Sequence, residues 1–311
     1  MTGLVCVVGS LNDDTTLTVP VLPSPGETTL TRGVRLTSPG GKGANQAVAA
    51  AVLGAEVAMV GAVGDDEPGE RSLAALRDVG VDLTAVAVRE DVGTGIAVIT
   101  VDDNGENTIV VDPGANGSLT AQEVTDAVTA AGPTVLLLQL EVPQDAVTAA
   151  VEAATGAVVV LNPAPMPADP EGVRRMLPLV DVLVPNRSEL GRLAGRPEPT
   201  DASEVAECVA ALGHTGSVVV TLGADGALCF EQGAAPVLVP GIPTSTRDAS
   251  GAGDVFCGCL AQELARGTGL LEAVRSANTL AAASTVHPGA RIRADLVHHL
   301  GSTGRTSPLA P

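Results

Sequence analysis

The sequence predicts an α/β protein: a three-layer αβα sandwich around a central, mainly parallel sheet, with a small β-sheet projecting from it. Three observations predict this. Short β-rich segments, apolar on both faces, alternate with helical stretches along most of the chain. Two Thr- and Val-rich segments interrupt that alternation. The 311 residues, 45% hydrophobic and 17% charged, are enough to bury one large core.

The first strand is expected at residues 4–8, where Leu-Val-Cys-Val-Val has no polar face. The same pattern recurs at residues 57–60, 134–140, 157–161, 182–184 and 217–221. Helices are expected between them at residues 44–53, 69–79, 120–130, 144–154, 187–194 and 202–212, and Thr120-Ala-Gln-Glu123 reads as a capping box. Such alternation implies parallel strands with helices on both sides. Residues 227–231 and 236–239 read as an antiparallel pair, and two long helices follow at 251–266 and 270–285.

Residues 16–36 and 95–111 carry turn formers (Pro23, Pro25, Gly26, Asn104-Gly105), which suit hairpins rather than helices. They are too polar for the main sheet. They suit a β-structure that folds over a ligand as a lid, that pairs subunits, or both. The expected organisation is one domain over residues 1–301, lid strands from about 15–37 and 94–112, and a disordered tail at 302–311.

Composition narrows the partners. The net charge of −19 argues against nucleic acid and against anionic membranes. Phe230 and Phe256 are the only aromatic residues, so base-stacking platforms are missing. The five cysteines (Cys6, Cys208, Cys229, Cys257, Cys259) lack paired metal-ligand spacing and read as buried thiols. No segment reads as a signal peptide or a membrane span, so a cytoplasmic address is expected.

The strongest chemical signal is Asp248-Ala-Ser-Gly-Ala-Gly-Asp254, directly ahead of a helical pattern. Small residues let the amides of Gly251, Ala252 and Gly253 converge at a helix N-terminus, where the dipole favours an anion. Asp254 is then placed to take a proton from an attacking hydroxyl, or it merely caps the helix. A second cluster, Pro39-Gly-Gly-Lys-Gly-Ala-Asn-Gln-Ala47, leads from a turn into an apolar helix without P-loop spacing. Lys42 and Asn45 there, with Asn12 and Asp14 after the first strand, suit a polyol pocket.

Gly9-Ser-Leu-Asn-x-Asp14, Gly40-Gly-Lys-Gly-Ala-Asn-Gln46, Gln139-Leu-Glu141, Leu161-Asn-Pro-Ala-Pro165, Pro185-Asn-x-x-Glu189, Thr221-Leu-Gly223 and Gly251-Ala-Gly-Asp254 occur in order. In that ordered set the chain resembles the PfkB carbohydrate kinase family, from about residue 4 to residue 300. The resemblance implies the ribokinase-like fold and ATP-dependent phosphorylation of a sugar, D-ribose at O5, with Asp254 as base. Asn12, Asp14, Gly41, Lys42, Asn45 and Glu141 match sugar-binding positions. Asn186 and Glu189 match the pair that orients Mg²⁺ and phosphates through water. Thr221, Leu222, Gly223, Ala224, Asp225, Gly226, Gly253 and Asn278 match positions around ATP, and the lid implies a homodimer.

The family also implies a monovalent cation, usually K⁺, at positions matched by Asp248, Ser250, Ser284, His287 and Gly289. The sixth position falls at Arg293, in Gly289-Ala-Arg-Ile-Arg-Ala294, where the family pattern runs toward Pro-Ser. An arginine cannot ligate K⁺, so K⁺ activation is expected to persist but to be weaker than usual. Kinases for deoxyribose, fructose, keto-deoxy acids or nucleosides are the neighbouring alternatives, and a non-catalytic sugar-binding regulator is a further one. A dinucleotide-dependent dehydrogenase is excluded, because no Gly-x-Gly-x-x-Gly follows the first strand.

Overall fold

A computed structural model describes residues 3–292; Arg293 and the tail at 302–311 lie outside the described residues. Along the chain run β1 (Leu4–Val8), β2 (Asn12–Thr18), β3 (Arg32–Gly40), α1 (Lys42–Val52), β4 (Glu56–Gly64), α2 (Glu67–Arg77), β5 (Asp82–Arg89), β6 (Gly95–Val101) and β7 (Asn107–Asp112). There follow α3 (Ala121–Ala131), β8 (Val135–Leu138), α4 (Gln144–Ala153), β9 (Val158–Leu161), α5 (Glu171–Met176), β10 (Val182–Leu183), α6 (Arg187–Ala194) and α7 (Ala202–Ala211). Last come β11 (Ser217–Thr221), β12 (Gly226–Phe230), β13 (Val237–Pro240), α8 (Ala252–Ala265) and α9 (Leu270–Ser284).

Nine strands form the main sheet in the order β13-β12-β11-β10-β9-β8-β1-β4-β5. It is parallel except at one edge, where β11, β12 and β13 pair antiparallel. Apolar alternation along each strand feeds two cores. Val5, Val7, Val135 and Leu137 face the helices α1, α8 and α9, while Cys6, Val8, Leu136 and Leu138 face α3, α4 and α6. Each fully buried Leu, such as Leu137, contributes about 1.5–3 kcal/mol of apolar burial. All five cysteines are free and buried, as expected of them.

The second sheet has the order β3-β2-β6-β7, with β2 and β6 parallel and the outer pairs antiparallel. It begins earlier than the lid segments of the sequence: β2 starts at Asn12 and β3 ends at Gly40, and these two residues pair. The small sheet therefore grows out of the loop that follows β1. Two elements were not anticipated. One is the edge strand β5, whose Asp-Leu-Thr-Ala-Val-Ala-Val-Arg is half polar; the other is the one-and-a-half-turn α5.

Helix starts follow their caps. Thr120 accepts from the Glu123 amide at 3.3 Å and Glu123 accepts from the Thr120 amide at 3.0 Å, the expected capping box. Asp66 starts α2 by accepting from Gly69 at 2.8 Å. The same carboxylate accepts from the Thr94 amide at 2.8 Å, which ties α2 to the entry of β6.

Candidate active site

The carboxyl ends of the parallel strands line one edge of the main sheet, which is where open α/β sheets gather ligand-binding loops. Ser10 follows β1, Gln139 and Glu141 follow β8, Asn162 follows β9, Asn186 follows β10, and Thr221 closes β11.

Asp254 sits in the first turn of α8 and is only 7% exposed. Two helices must cross closely to complete its surroundings. Gly258 makes that possible, because a Cβ there would stand 2.5 Å from the Gln46 carbonyl of α1. The crossing lets Asn45 donate to Asp254 Oδ2 at 3.3 Å and Gln46 donate to Oδ1 at 2.9 Å. Gln46 is itself held, donating to Asn162 Oδ1 at 3.2 Å and accepting from Gln139. Asn162 in turn donates to the Val184 carbonyl at 2.9 Å. Burial raises the Asp254 carboxyl above its ordinary range; Lys42 and the Gln46 and Asn45 hydrogen bonds oppose that rise, and Glu141 adds to it. A buried carboxylate held under two amide donors is placed to accept a proton.

Beside it the chain turns into the N-terminus of α8. Gly251 takes φ +70°, and its missing side chain clears the Ala290 carbonyl, which a Cβ would approach to 2.0 Å. Among the described residues the amides of Gly251, Gly253 and Asp254 make no hydrogen bond, whereas that of Ala252 makes a 3.3 Å turn bond to Ala249. The free donors are thus centred on Gly253, where a Cβ would meet no protein atom within 4 Å.

Glu141 accepts from Ser10 Oγ and, at 3.0 Å, from the Lys42 amide. Asn12 Oδ1 accepts from Asn116 at 2.8 Å, and Asn116 also accepts from the Leu11 amide at 2.9 Å. Asp14, on β2, packs against Gly40, and its carboxyl is raised to about 6, first by burial and then by Glu141. Lys42 is pulled down by burial, but Asp254, Glu141 and Glu189 outweigh that and hold it above its ordinary value. Ser10, Gln46, Asn116, Asn162 and Arg291 all belong to this cluster and were assigned no role from the sequence. Arg291 is the least expected: its Nε donates to Asn45 Oδ1 at 2.9 Å.

Asp14 carries a testable consequence. Its folded-state pKa of about 6 lies above the unfolded value, so the ionised form weakens the fold. The loss sets in as pH rises past the unfolded pKa and is complete above about 6. Asp14→Asn is expected to stabilise the ligand-free protein by about 1–3 kcal/mol at pH 7.5, and by nothing at pH 3.5, in denaturant titrations. The same change is expected to weaken sugar affinity.

Asn186 and Glu189 form a reciprocal cap at the start of α6: the Asn186 amide donates to Glu189 Oε2, and Asn186 Oδ1 accepts from the Glu189 amide, both at 2.8 Å. One Glu189 carboxylate oxygen remains available, and burial raises its carboxyl. A cavity of about 570 Å³ is bordered by Thr221, which bridges to Asn186 of this cap, and by Gly223, Ala224, Gly226, Gly253 and Asn278, with Phe256 at its wall. Leu222 and Asp225 instead border an adjoining cavity of about 470 Å³, where Asp225 pairs with Arg187 at 3.0 Å. Asn278 donates to the Pro240 carbonyl at 2.9 Å, which ties α9 to the end of β13.

Asp248 is clasped by amides, accepting from Ser250 at 2.9 Å and from Gly289 at 2.8 Å, and is held below the ordinary carboxylate range against the pull of burial. Ser284 and His287 meet through a 3.3 Å main-chain bond. Those five residues therefore border one loop pair, while Arg293 falls outside the described residues. Among the described residues no helix is long and apolar enough to cross a membrane, and no cluster of three or more His, Cys, Asp or Glu side chains is arranged to hold a metal.

Comparison with known proteins identifies the family. The model of the pfkB family carbohydrate kinases matches residues 2–295. A ribokinase of Haemophilus influenzae is 35% identical over 290 residues, covering 92% of this chain and 93% of the relative. A deoxyribokinase of Salmonella typhi is 33% identical over 295 residues, covering 92% and 93%. The structure of Arabidopsis thaliana ribokinase complexed with ribose and ATP superposes with a TM-score of 0.84 at 31% identity, covering 96% of this chain and 99% of the other. A family model spanning nearly the whole chain, together with relatives of this identity and coverage, shows that the chain belongs to the pfkB family of carbohydrate kinases, enzymes that transfer phosphate from ATP to a sugar.

Proposed function

We propose that the protein phosphorylates D-ribose at O5, with Asp254 as the base. One observation carries the reading: a buried carboxylate, under donors from Asn45 and Gln46, lies beside the unbonded amides of Gly253 and Asp254. Proton acceptor and anion site are adjacent, as transfer to a hydroxyl requires. Ribose is the favoured acceptor because the H. influenzae relative is a ribokinase and the Arabidopsis structure holds ribose. The Salmonella deoxyribokinase favours deoxyribose as the second reading. A nucleoside is disfavoured, since Phe256 lines the nucleotide cavity and Phe230 ends β12, which leaves no aromatic wall for a base.

In this account Asn12, Asp14, Lys42, Asn45 and Glu141 hold the sugar, and the small sheet excludes water. Asp254 accepts the proton of the O5 hydroxyl as that oxygen bonds to the γ-phosphorus. The free amides at the α8 terminus, aided by the helix dipole, stabilise the charge on the transferring group. The roughly 570 Å³ cavity and the open space at Gly253 fit a nucleotide and its terminal phosphate. The spare Glu189 oxygen fits a water-mediated Mg²⁺, which would neutralise phosphate charge. Asp248, ionised, with main-chain oxygens of Ser250, Ser284, His287 and Gly289, fits a monovalent cation that raises the potential at the anion site. A weakened K⁺ response is expected, and turnover with and without K⁺ measures it.

Exposed apolar side chains on the outer strands of the small sheet, with Leu36 and Ile109 in one cross-strand row and Val110 on the opposite face (Leu36 65%, Ile109 55%, Val110 70% exposed), support pairing of two lids in a cytoplasmic homodimer. ADP release measured across pentoses, hexoses and nucleosides tests the specificity. The highest kcat/KM is expected for ribose, and a preference for a nucleoside or a hexose overturns it.

A further inference from the structure

Arg291 follows the loop that closes over the α8 terminus, and neither the ordered motifs nor the composition gave it a role. Its guanidinium is fixed at one point, with Nε donating to Asn45 Oδ1 at 2.9 Å. Asn45 in turn donates to Asp254 at 3.3 Å, so arginine, amide and carboxylate form a continuous chain of hydrogen bonds. The guanidinium is planar, so pinning Nε fixes the direction of the remaining donors. Among the described residues, Nη2 is buried and has no hydrogen-bond partner.

A buried charged donor without an acceptor is costly, and native proteins seldom leave one unless a ligand or an ordered water completes it. Both carboxylates that act on the guanidinium, Asp14 and Asp254, belong to the sugar cluster. Burial pulls Arg291 down to about 10, which still leaves it cationic at neutral pH.

We propose that Arg291 is a sugar-binding and specificity residue, whose Nη2 donates to a hydroxyl or ring oxygen of the acceptor sugar. This rests on the assignment of the cluster around Asp254 as the sugar site. The charge balance favours a neutral polyol over a sugar acid. Among the described residues Asp14, Glu141, Glu189 and Asp254 outnumber the cations that act on them, Lys42, Arg291 and, at Glu189, Arg192, so a further carboxylate on the ligand meets an already negative pocket. The arginine supplies donors that the carboxylate-rich side cannot, and it holds Asn45 in the orientation that points its amide at Asp254.

The test is Arg291→Met, which keeps length and apolar stem but removes every donor. The sugar KM is expected to rise about 10–100-fold, the worth of one hydrogen bond to a charged group, while the ATP KM and the melting temperature stay near wild type. Arg291→Lys, which keeps the charge without the fork, is expected to fall between the two and guards against a folding defect of the methionine variant. Monodeoxy sugars separate direct donation from mere support of Asn45. For one of them the penalty seen with wild type should vanish in Arg291→Met, whereas a supporting role raises the KM of every sugar equally. A sugar KM within twofold of wild type, an equal rise in the ATP KM, or a uniform effect across the deoxy series overturns the role of Arg291. Wild-type protein that phosphorylates no sugar overturns the kinase reading instead.

Discussion

Asp254→Asn is expected to lower kcat about 10²–10⁴-fold while leaving the sugar dissociation constant within a few-fold of wild type, because a positioned base is worth that much in the transition state alone. The amide is close to the carboxylate in size, so the pocket keeps its shape. It cannot accept on both oxygens, and the donors of Asn45 and Gln46 now face one acceptor and one NH₂ group. The variant loses one of these hydrogen bonds but also loses a buried charge that burial disfavours. Little net change in melting temperature is therefore expected. Steady-state turnover and calorimetric titration with sugar separate the effects, and near-normal turnover removes Asp254 from the role of base. The raised carboxyl adds a sign: kcat/KM falls as pH drops through the Asp254 pKa, since the protonated acid cannot accept.

Two glycines two residues apart give the second large effect, with opposite consequences for the fold. In Gly253→Ala the new Cβ meets no protein atom within 4 Å. The residue is the second of α8, where Ala suits a helix at least as well as Gly, so the melting temperature should hold or rise slightly. The methyl fills the open space beside the free amides, and phosphate transfer is expected to fall at least about 10²-fold, the scale of losing an oxyanion donor. Gly251→Ala is different. At φ +70° a side chain is strained by about 1–2 kcal/mol, and its Cβ would lie 2.0 Å from the Ala290 carbonyl. That variant is expected to lose stability and activity together, as the loop carrying Arg291 is pushed aside. Thermal melts and ADP release on the pair check this, and a fully active Gly253→Ala contradicts the placement of the transferring phosphate.

The main sheet was legible because its strands must be apolar on both faces, and Val5 and Cys6 serve different cores as that rule demands. The edge strand β5 was not, since an edge tolerates Asp82, Thr84 and Arg89 and loses the apolar signature. The start of β2 was hidden for a related reason: Asn12 and Asp14 belong to the candidate site, Asp13 between them pairs with Arg71 of α2, and polar runs look like loops. Motif order brought Asp254 and Asn45 into one hypothesis although they stand 209 residues apart. Their contact depends on a glycine at 258 that lets two helices touch, which no local pattern reveals. Asn186 and Glu189 had a second reading in plain view, since Asn followed three residues later by Glu is a capping-box spacing. The pair does cap α6, and the same geometry leaves one Glu189 carboxylate oxygen unengaged. Arg291 escaped because an arginine in a loop normally points to solvent, and only the folded path of residues 284–292 turns it inward.

The central claim is that a carboxylate at Asp254 directs phosphate from ATP onto the primary hydroxyl of ribose. Proton-coupled phosphorus NMR of the reaction product, recorded for wild type and Asp254→Asn side by side, tests it most directly. The account predicts one phosphomonoester signal split into a triplet by the two C5 protons with wild type, and no such signal from the variant over the same time. A doublet, which places phosphate on a secondary carbon, or an equal yield from the variant would contradict it.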